Sequence, residues 1–382
     1  MKNLISFVAT VAVLLCTPVC SRGIDPPAEY KDIQKTYLRS VKSTLPSGKC
    51  TEKNIAVRKS WDKLSKKERK AYIDAVLCLH SAPSRADPAL HPGNRNRMDD
   101  FASSHANVVL RSHANGLFLP FHRGFLHVWE RALREECSYT GYQPYWDIPR
   151  WENDIAGSAL FDGSSTSLGG NGEHLANPPP KVFRIDANDG NPPAEFTIPP
   201  GTGGGCVTTG PFAANVFNIS IGPVTPGNPP PNDPMGRNYN PRCLTRDFMP
   251  GQTTRFLSWA NITETLAQPD IAAFRPYVES PDGPHGAMHA AVGGAVLDFY
   301  VSPLAPEFVF LHGWLDLIWA LWQGQDWEAR KNGLAGTLTW FNRPPSAEAT
   351  LDDILDYGDV GPQIPVRDMM STTAGGLCYR YE

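Results

Sequence analysis

Three histidines set among apolar residues constrain this chain more than any other feature. His285-Gly-Ala-Met-His289 puts two imidazoles four positions apart, which a helix stacks on one face a turn apart. The third, His312, lies in Glu307-Phe-Val-Phe-Leu-His312-Gly-Trp-Leu-Asp316. There Phe308, Leu311, Leu315, Ile318, Trp319 and Trp322 predict a buried helix. Neutral imidazoles converging in an apolar interior make a metal site. A second trio, His105, His113 and His122, precedes its own buried helix, whose inner face is Phe125, Val128, Trp129, Ala132 and Leu133.

The donor set narrows the metal. Imidazole suits zinc, copper, iron or nickel. A zinc hydrolase of the HExxH kind places a glutamate after the first histidine, but here Gly286 and Ala287 follow His285. Two all-histidine trios with open positions instead match a pair of copper ions. Such a pair can pass two electrons to dioxygen and recover two from an organic donor, and a catechol releases two on becoming a quinone.

The 382 residues carry a net charge of −4 without an extended basic block, which excludes an electrostatic footprint for nucleic acid. Lys2 and the apolar run Leu4–Cys16 predict a secretory leader over 1–21, cut between Ser21 and Gly23. Later apolar runs fall short of the ~20 residues that span a bilayer. The expectation is a secreted protein with no membrane partner, residues 22–382 forming one domain. Of the 8 cysteines, Cys16 and Cys20 leave with the leader, and Cys50, Cys78, Cys137, Cys206, Cys243 and Cys378 remain. Six cysteines in an oxidising compartment predict three disulfides, with about 15 pairings open. Asn218-Ile-Ser and Asn261-Ile-Thr are glycosylation sequons.

Along the chain, 24–57 reads as a polar leader into the fold. Ser65-Lys-Lys-Glu68 is a capping box opening a helix that ends before Pro83. Helices are expected at Asp99–Leu110, from Pro120 to Gly141, at Thr253–Leu266 and at Ile271–Val278, with Glu130 and Arg134 paired on the solvent side. Residues 150–250, rich in proline and glycine, read as a surface excursion stapled by Cys206. The glycines of Pro199-Pro-Gly-Thr-Gly-Gly-Gly205 lack the Lys-Ser/Thr of a phosphate loop. His80 and His91 read as non-ligands, and His127 and His174 stay unassigned. The fold class is mainly helical: a central antiparallel four-helix bundle holding the metal pair, wrapped in long loops and a few short strands.

Over 50–382 the chain resembles the type 3 copper proteins of the tyrosinase and catechol oxidase family, in their short secreted fungal form. The resemblance rests on Phe118-Leu-Pro-Phe-His-Arg123, Glu130-Arg-Ala-Leu-Arg-Glu-Glu-Cys137, Tyr145-Trp-Asp147, Gly204-Gly-Cys-Val-Thr-Thr-Gly-Pro-Phe212, Pro241-Arg-Cys-Leu-Thr-Arg-Asp247 and Leu315-Asp-Leu-Ile-Trp319. It implies one copper on His105, His113 and His122, a second on His285, His289 and His312, and oxidation of small o-diphenols to o-quinones by dioxygen. The bridges expected with it are Cys78–Cys137, Cys206–Cys243 and Cys50–Cys378. Glu279 resembles the family's water-holding glutamate, at a short spacing from His285. Phe299 falls near the residue that overhangs the first copper, where it would narrow the entrance. Asp316, one turn past His312, is expected to orient an imidazole.

Departures from the family pattern bear on substrate preference. Arg111 stands where many relatives carry a cysteine crosslinked to a histidine. Gly286 and Ala290, after His285 and His289, offer no side chain to orient water or accept a proton, so monophenol hydroxylation should be weak. Gly313 replaces a second histidine and Leu317 an arginine, which keeps open a non-catalytic oxygen or copper binder; a full tyrosinase is the other alternative, since the dicopper site alone can suffice for small phenols. Tyr379-Arg-Tyr381 resembles the close of the family's catalytic domain, so a latent form held by an internal plug is not expected.

Overall fold

A helix that is apolar all round has no face for water, and Phe308–Gln325 accordingly runs through the middle of the molecule, buried at every residue from Phe308 to Gly324. This is a computed structural model that describes residues 23–45, 49–185, 194–224 and 232–382. The leader expected at 1–21 lies outside the described residues. In chain order the principal helices are α1 (Ala28–Thr44), α2 (Lys66–Ser81), α3 (Arg97–Ser112), α4 (Phe118–Cys137), α5 (Pro250–Phe256), α6 (Trp259–Leu266), α7 (Ile271–Glu279), α8 (Pro284–Val292) and α9 (Phe308–Gln325). The bundle consists of two pairs, α3 with α4 and α8 with α9, joined where α4 packs along α9. Among the described residues the strands form only two-stranded ribbons. The mainly helical fold expected from the sequence is the one observed, and no described helix is long and apolar enough to cross a membrane.

Local signals set the helix ends. Ser65 and Glu68 form the expected capping box of α2. A second box, Asn96 with Asp99, starts α3 two residues before the expected Asp99. The helix expected over Thr253–Leu266 is broken in two, because Ser258 leaves helical geometry and caps α6 by accepting from Asn261 N.

Three expectations are corrected. The segment 24–57 contains α1, whose Tyr30, Tyr37 and Val41 are buried; α1 packs along α9. So sparse a stripe among charged residues hid its amphipathic character. Glu130 does not pair with Arg134. It accepts from Arg58 at 3.0 Å and from Gln143 N at 2.9 Å, while Arg134 donates to Gly141 O at 2.7 Å. Residues 150–250 are not merely a surface excursion, since Leu160, Phe161, Leu168, Val207, Phe212 and Leu244 belong to the main core. Arg246 fixes this region to α9. Its guanidinium meets Glu307 at 2.9 Å with both side chains fully buried, and it donates to the carbonyls of Leu168, Gly169 and Gly170.

All three bridges, Cys50–Cys378, Cys78–Cys137 and Cys206–Cys243, are formed. The first ties the two ends of the fold together, where Ala56–Arg58 pairs in parallel with Tyr379–Tyr381.

One interior acid makes stability depend on pH. Burial, reinforced by the Asp62 carboxylate, pushes Asp147 up from 3.8 to about 7. Between those values the folded chain holds a proton that the unfolded chain has released, so stability falls as pH rises through the window. Asp147→Asn is therefore expected to raise the melting temperature at about pH 8 and to change it little at about pH 3.5. Thermal melts at the two pH values check this; equal shifts at both contradict it.

Candidate metal centre

The two trios meet across the α4–α9 contact. His105 projects from α3, His113 caps its end, and His122 lies in the first turns of α4. His285 and His289 lie on α8 and His312 on α9. Within each trio the candidate ligand nitrogens lie within 4.8 Å of one another. The His122 and His312 rings stack with centroids 4.3 Å apart, bringing the trios face to face. Phe308 packs on both sides of the junction, 5.4 Å from His105 and 4.1 Å from His312.

Hydrogen bonding shows which nitrogen four of the six rings offer. His105 Nδ1 lies 2.7 Å from Tyr300 O, His113 Nδ1 3.0 Å from Val109 O, His122 Nδ1 2.8 Å from Phe118 O and His289 Nδ1 2.6 Å from Val296 O. A carbonyl only accepts, so each Nδ1 carries the proton and each Nε2 keeps its lone pair. The nitrogens Nε2 of His105, His122 and His285 are buried without a hydrogen-bond partner among the described residues. Orphaned acceptors in such an interior are costly unless something binds them. His289 Nε2 and His312 Nε2 stand 3.2 Å apart, as two ligands about 2 Å from one cation would.

Charge tells the same story. Burial lowers His105 and His289 to about 4, and burial together with the neighbouring imidazoles holds His113, His122, His285 and His312 well below 6.5. The rings are neutral near pH 7, the form that binds metal. Six neutral nitrogens without a carboxylate or thiolate fit copper.

A cleft of about 270 Å³ leads to the centre, lined by His113, His285 and His289. Its walls come from the α7–α8 turn, the loop at Trp340 and Phe341, and the hairpin of Lys181–Ile185 with Ala194–Ile198. That hairpin is anchored by Phe183 and Ile198, which pack with Ala290 and Leu297 beside His289.

Phe299 lies in the cleft with its ring 5.3 Å from His113, on the side of the first trio. Glu279 also lines it. Its carboxylate accepts from Ala114 N at 2.5 Å, next to His113, and from Arg275 at 2.6 Å; burial nevertheless raises it from 4.5 to about 7. Arg111 is exposed at the end of α3. Gly286 faces a backbone carbonyl, where an added Cβ would come 2.8 Å from Pro281 O, so the turn at 280–282 excludes a side chain there.

The orienting role expected of Asp316 is corrected. Its Oδ1 accepts from Arg123 at 2.6 Å, and its Oδ2 accepts from the hydroxyls of Tyr379 at 2.5 Å and Tyr381 at 2.6 Å. Arg58 lies 3.6 Å away. Burial would raise this carboxyl, but Arg123, Arg58 and the two hydroxyls outweigh it and hold it below 3.8. Asp316 therefore binds the C-terminal strand to the bundle, while His312 Nδ1 has no hydrogen-bond partner among the described residues. Arg123 on α4 supplies the cation that Leu317 does not.

His80 Nε2 donates to Asn218 O and its ring stacks on Phe217, His91 approaches Asp359, and His174 is exposed; none joins the trios. Trp340 and Phe341 line the cleft and were not singled out from sequence; an aromatic pair ahead of Pro344-Pro345 was the available signal.

Residues 95–325 match the family described as the common central domain of tyrosinase. The chain is 37% identical over 342 residues to tyrosinase P of Aspergillus terreus, covering 88% of this chain and 94% of that protein. It is 36% identical over 354 residues to an N-acetyl-6-hydroxytryptophan oxidase of Emericella nidulans, covering 87% and 94%. Its structure is similar to that of a glycine-to-asparagine variant of the polyphenol oxidase from Thermothelomyces thermophila, with a TM-score of 0.86, 37% identity and coverage of 94% and 99%.

Proposed function

The chain belongs to the tyrosinase family of type 3 copper oxidases, and on that premise we propose that it oxidises o-diphenols to o-quinones and hydroxylates monophenols only weakly. In this reading His105, His113 and His122 hold one copper and His285, His289 and His312 the other. Bound there, the metal pair supplies two-electron exchange between a phenolic ring and dioxygen. Two diphenols together give up the four electrons and four protons that turn one dioxygen into two waters.

The chain's own residues set the terms of that exchange. The largely apolar cleft is shaped to receive a flat ring beside His113 and Phe299. Glu279 lines the same cleft, but its oxygens accept from Ala114 N and Arg275, so it is placed to hold a water beside His113 and not to take the proton of a phenol seated against α8. The preference for diphenols rests on one observation. Both residues that follow a ligand on α8, Gly286 and Ala290, line the cleft without a polar side chain. A monophenol must lose its proton before it can be hydroxylated, and these positions offer no acceptor for it.

Absent general-base help costs about 10²- to 10⁴-fold. Copper-loaded protein is therefore expected to oxidise 4-methylcatechol without a lag and 4-methylphenol at least about a hundredfold more slowly. Parallel initial-rate assays decide it, and comparable rates would make the protein a full tyrosinase. Three formed disulfides favour maturation in an oxidising compartment, so we assign the chain from 22 onward to a secreted single-domain enzyme.

A further inference from the structure

Two consecutive residues at the mouth of the cleft, Phe341 and Asn342, adopt the left-handed backbone region, with φ of 50° and 57°. Asparagine enters that region readily, whereas a bulky aromatic stays there only when its surroundings hold it. They do. Phe341 N donates to Ala114 O at 3.1 Å, one residue past His113, Asn342 N donates to Thr339 O at 3.0 Å, and Asn342 Oδ1 accepts from Ser346 N at 2.8 Å. The outcome is an apolar ring set into water, since Phe341 is 52% exposed.

That ring ends a row of aromatics leading outward from the metal centre. His113 to Phe299 is 5.3 Å between centroids, Phe299 to Trp340 is 6.1 Å, and Trp340 to Phe341 is 5.0 Å. Phe183 and Ile198 line the same cleft from the hairpin. Two of its three acidic groups are already engaged, Glu279 by Ala114 N and Arg275 and Asp298 by the amides of Val224, Tyr300 and Val301, while Asp282 is exposed. The volume, about 270 Å³, exceeds what one ring needs, as a cavity of about 150 Å³ already accepts benzene.

We propose that Trp340 and Phe341 form a second-ring subsite, so that the enzyme prefers phenols carrying an aromatic substituent remote from the hydroxyls over single-ring phenols. This rests on the diphenol-oxidase reading for its substrate chemistry, and on the aromatic row for its position. One aromatic contact is worth about three- to tenfold in affinity.

The test compares wild type with Phe341→Gly, which removes the ring while suiting the left-handed backbone, and with Trp340→Leu as a second variant. Copper-loaded protein is titrated by calorimetry with biphenyl-4-carboxylate and with benzoate, neither of which has a hydroxyl to oxidise. KM is measured in parallel for 4-phenylcatechol and catechol. In wild type the two-ring ligand of each pair should be favoured, and in both variants that ratio should fall about three- to tenfold. A biphenyl-to-benzoate ratio unchanged in both variants overturns the subsite, whatever the turnover. If the ratio collapses but neither diphenol is oxidised, the subsite stands and the diphenol-oxidase reading falls.

Discussion

Replacing His289 with Ala is expected to lower o-diphenol oxidation by more than about a hundredfold while leaving the fold in place. Altering a group that merely supports a metal ligand already costs about 10- to 100-fold, so removing the ligand costs more. His289 makes this role specific. Its Nδ1 is committed to Val296 O at 2.6 Å, and its Nε2 faces His312 Nε2 at 3.2 Å, leaving that nitrogen free for an ion. Alanine is the best helix former, so α8 loses nothing in backbone preference. Initial rates on 4-methylcatechol at saturating copper, beside a thermal melt, measure both halves. A variant keeping more than about a tenth of the rate would remove His289 from the second site.

Asp316→Ala is expected to destabilise the metal-free protein by about 3–5 kcal/mol, the usual cost of leaving a buried charge without its partner. Arg123, with none of its side chain exposed, would lose its counter-ion, and the hydroxyls of Tyr379 and Tyr381 would lose their common acceptor. Arg58 would keep Glu130 at 3.0 Å, so the loss falls mainly on Arg123 and the C-terminal strand. Urea unfolding without copper separates this from the role first expected of Asp316. A residue that only oriented His312 would weaken copper binding and leave the metal-free midpoint where it was.

Much of the site was legible in the sequence because ligand spacing is a local property. A histidine pair four residues apart on α8, and a third in an unbroken apolar helix, dictate their geometry almost without tertiary help. The same holds for the capping box at Ser65 and Glu68. What escaped depends on distant contacts. Nothing near Asp316 in the chain announces Arg123 or Tyr381, which arrive from other elements. Helix α1 shows too thin an apolar stripe to declare itself before α9 is there to receive it. The burial of Arg246 against Glu307, and the exposure of Phe341 at the cleft mouth, likewise follow from how loops are drawn over the bundle.

Two separate groups of three histidines, one on α3–α4 and one on α8–α9, are placed to hold a pair of metal ions. Metal analysis of copper-loaded protein after gel filtration tests this most directly. Binding should reach a plateau at two copper ions per chain, one for each group. A plateau at one ion, or none retained, would contradict the account.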